Sequence, residues 1–162
     1  MKKDIFVIVH SEFGTEEFEI KNARYNLYNP EGDIWEFTLG FDTGRAIKRA
    51  NQLLEIIDAK PNFEATAIIS SNELDLQKGR IIYQKEGYDE DRQEILSNIY
   101  YFAHESVDDL SIEIVEITEN EILANVTGKG IINGSNRNGP DAEFILKEVR
   151  FIHDKKLFRE VM

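Results

Sequence analysis

The sequence predicts a β-dominated α+β fold, a mostly antiparallel sheet in a sandwich or open barrel with one or two helices. Several runs of apolar residues alternate with polar ones, which is typical of half-buried strands. Two other stretches repeat their apolar residues at helical spacing. Strands and helices do not alternate regularly, as they would in a doubly wound fold. The 162 residues suit one domain, so residues 1–162 are expected to fold as a single unit.

The N-terminal quarter predicts three strands. The apolar run 5–9 is too short for a signal peptide and indicates a buried strand. In residues 17–27 the apolar residues change parity near Lys21 and Asn22, which indicates a bulge or a break between two strands. The Pro and Gly of residues 29–32 predict a tight turn. Residues 34–41 then alternate cleanly as the next strand.

The middle of the chain predicts two helices that flank two strands. Residues 44–58 place apolar side chains at helical spacing, and a proline follows at position 61. Residues 63–69 and 80–85 read as strands. From Asp89 to about residue 103 the pattern is helical again, with acidic residues at positions 91 and 94 arranged as a capping box. The β-forming residues at the end of this stretch favour a strand instead.

The C-terminal third predicts a meander of strands. Residues 110–114 and 122–128 form the expected antiparallel hairpin, with a turn near residue 120. Residues 142–153 fit a helix that begins at Pro140, and they also fit a strand paired with the preceding one. We favour the strand, because the region is rich in β-forming residues and its main apolar residues share one parity.

A glycine-rich stretch between residues 128 and 140 is the most conspicuous motif. A phosphate-binding loop needs a third glycine where Asn133 stands, and it needs a helix directly after the loop. The stretch therefore predicts a long hairpin loop in which Gly and Asn supply positive φ angles. A loop of this length beside a rigid sheet is a candidate contact surface.

The charge limits the classes of partner. The chain carries 31 acidic and 19 basic residues, a formal charge of −12. Such a surface repels nucleic acids and anionic membranes and attracts a basic protein. No run approaches the roughly 18 apolar residues of a membrane-spanning helix. The absence of cysteine rules out disulfides and thiolate metal sites and fits a cytoplasmic location.

The sequence assigns no catalytic residue, metal ligand or cofactor. The three histidines, His10, His104 and His153, are far apart in the chain and form no local metal motif. No nucleophile elbow occurs. With so many acidic residues, any particular pair proposed for glycoside hydrolysis would be arbitrary. These observations favour a protein that is not an enzyme without deciding the question.

The leading hypothesis is a non-enzymatic acidic module that binds a basic protein and neutralises it, as an immunity protein or inhibitor does. The alternatives are a self-assembling subunit, which would form homo-oligomers, and a small hydrolase or ligand-binding protein with its site inside the sheet. Adjacent tyrosines, nearby acids and polar loop residues are the expected contacts of the partner. These residues are Tyr100, Tyr101, Asp108, Asp109, Asn133, Asn136, Arg137 and Asn138.

Overall fold

The computed structural model describes residues 3–50, 60–101, 103–132 and 139–154. Within these ranges the chain forms twelve β-strands and one short 3-10 helix, Ser71–Glu73. The strands are β1 (Ile5–His10), β2 (Gly14–Glu31), β3 (Ile34–Lys48), β4 (Asn62–Ser70), β5 (Ile81–Gln84), β6 (Tyr88–Asp89), β7 (Glu94–Ile95), β8 (Asn98–Tyr100), β9 (His104–Ser106), β10 (Asp108–Ile117), β11 (Glu121–Gly130) and β12 (Ala142–His153). The predicted α+β class is therefore wrong, and the described fold is nearly all β.

Ten of these strands form one large sheet, in the order β5-β10-β11-β12-β1-β2-β3-β4-β8-β9, while β6 and β7 form a separate hairpin. Neighbours in the large sheet are antiparallel, and β12 adds a short parallel pairing with β2. Because β9 ends at Ser106 and β10 begins at Asp108, the chain passes directly from one end of this order to near the other. The sheet therefore curls round on itself, and Val107 is the joint.

The helix predicted over residues 44–58 is wrong where the structure describes it. Residues 44–48 continue β3 and pair with β2, with Ala46 opposite Phe18 and Lys48 opposite Glu17. Residues 51–59 lie outside the described ranges. The helical preference of this short stretch is weak, and the edge of the long strand β2 offers it cross-strand partners, so tertiary pairing decides its conformation.

The second predicted helix, from Asp89, is also wrong. Residues 88–95 form the β6–β7 hairpin, in which a carboxylate oxygen of Asp89 accepts the backbone N–H groups of Asp91 and Arg92. The acidic residues that resemble a helix cap thus stabilise a turn, which an Asp side chain does equally well. The residues that follow have high β propensity and form β8.

Several strand predictions are confirmed. The parity change in β2 is a bulge, where the register with β3 shifts between Lys21 and Arg24 and Asn22 has a φ of 57°. β10 and β11 form the predicted hairpin. Residues 142–153 form a strand that pairs with β11. The Gly-rich stretch connects these last two strands, and its central residues 133–138 lie outside the described ranges.

The interior of the curled sheet is filled by apolar side chains, and phenylalanines form its centre. The ring of Phe6 meets that of Phe41 at 5.0 Å in an edge-on arrangement, and Phe41 stacks on Phe63 at 5.2 Å. Phe144 of β12 completes the group, with its ring centre 6.1 Å from that of Phe63. Since β2 separates the neighbours β12 and β1 from the neighbours β3 and β4 in the sheet order, the rings join these two pairs of strands across the interior.

Glycines make the joint at Val107 possible. A Cβ atom at Gly87 would lie 2.3 Å from the carbonyl oxygen of Val107, and one at Gly128 would lie 2.6 Å from a methyl group of the same side chain. A Cβ atom at Gly130 would lie 3.0 Å from the carbonyl oxygen of Ser106. The absence of side chains at these positions lets the neighbouring backbones approach the joint closely.

We expect Gly87→Ala to lower the free energy of unfolding by about 1–3 kcal/mol, because the new methyl group meets rigid backbone. Gly32→Ala is the matched control, since a Cβ atom there meets nothing within 4 Å. Urea denaturation measures both changes. Equal stability of the two variants would contradict the role of Gly87.

Candidate functional site

Two groups of side chains stand out from the rest of the molecule. The first, which we call the Glu16 cluster, comprises His10, Glu16, Arg49 and Tyr101 and lies at one end of the curled sheet. The second, the acidic cleft, lies beside β4 and β5. Its lining residues are Ile68, Gln84, Glu86, Tyr88, Asp89, Glu90, Asp91 and Leu96.

In the Glu16 cluster, a fully buried carboxylate gathers hydrogen bonds from three parts of the fold. One oxygen of Glu16 accepts the hydroxyl of Tyr101 at 2.6 Å and lies 3.0 Å from Nε2 of His10. The other oxygen lies 3.1 Å from Nε of Arg49 and accepts the backbone N–H of Ala50 at 3.4 Å. A buried charge is tolerated only when it is paired in this way.

The cluster keeps Glu16 ionised. Burial alone would raise the pKa of this carboxyl, but the hydrogen bonds from His10 and Tyr101, the nearby charge of His10 and the N–H of Ala50 outweigh it and lower the pKa below its ordinary value. Burial and the hydrogen bond to Glu16 raise the pKa of Tyr101 far above its ordinary value. The phenol therefore stays a donor at neutral pH.

The arrangement of the cluster indicates a structural role. Both carboxylate oxygens are occupied by protein donors, and the side chains of Glu16 and His10 are fully buried. A ligand would have to displace one of these donors to reach the carboxylate. The cluster ties the ends of β1 and β3 and the residue after β8 to the start of β2.

The acidic cleft is an open cavity of about 340 Å³ on the outer surface. Ile68 and Leu96 contribute apolar surface, and four carboxylates line it from the loop before β6 and from the β6–β7 hairpin. Arg92 offsets part of this charge, since its Nε lies 3.5 Å from Oδ2 of Asp89. Its Nη1 also lies 2.7 Å from Oε2 of Glu36, which is not among the residues that line the cleft. A concave, mainly polar surface with four carboxylates suits the charged head of a lysine or arginine side chain.

The cleft exists because the sheet is incomplete between β4 and β5. β8 pairs with β4 only over residues 62–64, and β5 has β10 as its strand neighbour. Side chains fill the gap. The hydroxyl of Ser97 bonds both the N–H and the carbonyl of Thr66, and Oε1 of Gln84 accepts the N–H of Ile68 at 3.1 Å.

The structure separates the predicted contact residues. Tyr100 is 41% exposed at the tip of the β8–β9 hairpin, whereas Tyr101 is buried in the Glu16 cluster. Asp108 and Asp109 lie beyond the other end of β9, where they accept hydrogen bonds from the backbone of Gly87 and the hydroxyl of Tyr83. Asn133, Asn136, Arg137 and Asn138 fall outside the described residues. Whether these residues bind a partner stays a prediction.

The histidines occupy separate environments. His10 belongs to the Glu16 cluster, His104 faces Asn98 on the neighbouring strand, and His153 stacks on Tyr25 with 4.8 Å between ring centres. Within residues 3–50, 60–101, 103–132 and 139–154, no group of three or more His, Asp or Glu side chains is arranged to hold a metal ion. In the same ranges, no helix has the length and apolar character to cross a membrane.

Sequence reasoning missed both groups, although one of them left a signal. Glu16 shares its parity in β2 with buried Phe18, and His10 shares its parity in β1 with buried Phe6 and Ile8. A polar residue in the buried register of a strand indicates a buried hydrogen-bonded pair. The acidic cleft leaves no comparable signal, because it depends on where β4 and β5 meet.

Comparison with known proteins returns no similarity for this chain, whether with protein families, with curated proteins or with solved structures. Function must therefore be inferred from the geometry and charge described above.

We expect Glu16→Gln to lower the free energy of unfolding at pH 7 by about 1–3 kcal/mol, because hydrogen bonds to a buried charge are replaced by weaker ones. The folded pKa of Glu16 is lowered, so its stabilisation is complete above the ordinary value of 4.5 and is lost as the pH falls through the folded pKa. Denaturation between pH 7 and 3 measures this loss, which Glu16→Gln should reduce.

Glu17→Gln is the matched control, since its side chain is half-buried on the opposite face of the same strand. This variant should keep the acid sensitivity of the wild type. If both variants show the same dependence on pH, the Glu16 cluster is not what the acid disrupts.

Proposed function

We propose that the protein is a non-enzymatic binding module whose partner is a basic protein, which it neutralises as an immunity protein or inhibitor would. The observation that carries the proposal is the acidic cleft, a concave and mainly polar surface lined by four carboxylates on a chain of net charge −12. Opposite charge steers such a partner toward the surface and favours it over acidic competitors. A cytoplasmic location is part of the same proposal and agrees with the absence of cysteine.

Exposed aromatic residues near the cleft add to this proposal. Tyr88 lines the cleft and is 42% exposed, and Tyr83 of β5 is 58% exposed. Tyrosines with a polar surround are frequent anchors at protein interfaces, because they bury a large area at low entropic cost. The hydroxyl of Tyr83 already donates to Asp109, which fixes the orientation of its ring.

Self-assembly is the second candidate function. It is favoured by Ile81 and Tyr83, which are both 58% exposed on the short strand β5 at the end of the sheet order. Exposed apolar residues on an end strand promote pairing with another chain. The net charge of −12 works against it, since two copies repel each other. Sedimentation equilibrium at low and moderate salt separates a monomer from an assembly.

We expect neutralisation of the cleft by Glu86→Gln, Glu90→Gln and Asp91→Asn together to weaken partner binding by roughly tenfold, from the loss of three exposed charges. The matched control removes three exposed acids elsewhere through Glu12→Gln, Glu73→Gln and Glu119→Gln. Both variants carry the same net charge. Pull-down from the source organism's lysate at two salt concentrations, read by mass spectrometry, compares them.

The proposal expects the wild type and the control variant to retain one basic protein in stoichiometric amount. The cleft variant should lose this protein, and so should the wild type at higher salt. Recovery of acidic proteins or of copies of the chain alone contradicts it. Equal retention by all three proteins places the interface away from the cleft.

A further inference from the structure

The edge of β4 that faces the cleft bonds to side chains where a neighbouring strand would otherwise pair. Thr66 and Ile68 direct their N–H groups away from β3, and the side chains of Ser97 and Gln84 accept them. The alternation of a strand places the N–H of Ser70 on the same edge. A strand edge of this kind is the template on which an extended segment of another chain can pair.

β5 forms the other side of the gap. Ile82 pairs with Ile112 of β10, and its neighbours Ile81 and Tyr83 direct their backbone groups to the opposite edge, toward the gap. The acidic cleft opens where the two edges meet, since Ile68 of β4 and Gln84 of β5 both line it. The two strand edges and the cavity therefore form one continuous feature, which we call the β4–β5 slit.

The charge around the slit selects the chemistry of an occupant. Glu86, Glu90 and Asp91 are exposed, and together with Asp89 they line the cleft. A segment with lysine or arginine at alternate positions would direct those side chains to one face, because successive side chains of a strand point to opposite sides. An acidic segment, including another copy of the same cleft, would be repelled.

We propose that the β4–β5 slit binds an extended, positively charged segment of the partner protein by strand addition to β4, with Gln84 displaced from Ile68. The inference rests on the proposed function and names its site and its mode of recognition. Backbone hydrogen bonds along β4 hold the segment, and the carboxylates of the cleft select its basic side chains. In the absence of the partner, Gln84 caps the edge and prevents pairing with other chains.

Binding in this mode requires the slit to widen. Strands pair at a spacing of about 4.8 Å, so a segment between β4 and β5 needs roughly twice that distance between them. β5 can yield because it is four residues long and has β10 as its strand neighbour. The hydrogen bond from Ile68 to Gln84 is the contact that must break first.

The test uses the full chain and a synthetic peptide of alternating lysine and valine, seven residues long. A second peptide of the same sequence carries N-methyl groups on every other amide, so that it keeps the charge but cannot pair along that edge. Calorimetry measures the affinity of each. Backbone amide exchange, followed by NMR, reports on the N–H groups of Ile68 and Ser70.

We expect the unmodified peptide to bind more tightly and to protect these two amides. Gln84→Ala removes the competing cap, so it should strengthen peptide binding by about two- to tenfold, the size of one hydrogen bond. Gln77→Ala is the matched control, because that exposed side chain bonds to Asp75 away from the cleft and should change nothing.

Equal affinity for the two peptides, or unchanged exchange at Ile68 and Ser70, overturns strand addition. If binding is then still salt-dependent and weakened by neutralisation of the cleft, the proposed function stands without this mode of recognition. Failure of the unmodified peptide to bind at low salt also overturns strand addition. The pull-down then decides the proposed function separately.

Discussion

The described fold depends on one buried carboxylate. Glu16 stands in the inward register of β2, where an unpaired charge would cost several kcal/mol. The donors that satisfy it come from the end of β1, from the residues after β3 and from the residue after β8. These segments must therefore converge, and one end of the curled sheet is closed by hydrogen bonds of defined geometry rather than by apolar contact alone.

Two other parts of the sheet differ in how they are closed: backbone closes it at Val107, whereas only side chains close it between β4 and β5. At Val107 the backbone passes from β9 to β10 and joins the sheet to itself, with glycines that let the chains approach. Further along, no strand fills the space beside Thr66 and Ile68 among the described residues, and the side chains of Ser97 and Gln84 substitute for one. A side-chain substitute can be displaced by a backbone, whereas a paired strand cannot be displaced so readily. The slit is therefore the part of an otherwise tightly packed sheet where an added backbone segment can displace a hydrogen-bonded side chain.

Local pattern predicted the strands whose partners lie next to them in the chain. Alternation in residues 34–41, the hairpin from 110 to 128 and the parity change at Lys21 all appear in the structure as strands, turn and bulge. The same reasoning failed for residues 44–48 and from Asp89 onward, where helical spacing occurs without a helix. Pairing with β2 decides the conformation of residues 44–48, and the side chain of Asp89 stabilises a turn in the second region. The spacing of apolar residues records neither interaction.

By itself, the sequence determined that the protein is strongly acidic, rich in strands and free of disulfides, because charge, alternation and cysteine content are properties of single positions and their neighbours. The tertiary structure alone decided which polar residues meet. Glu16 and Tyr101 are 85 positions apart and share a hydrogen bond, while the adjacent Tyr100 faces solvent. Ile68 and Gln84 likewise meet only because the sheet curls. The physical reason is that contacts across a curled sheet depend on the register of its strands, and all the strand pairings together determine this register.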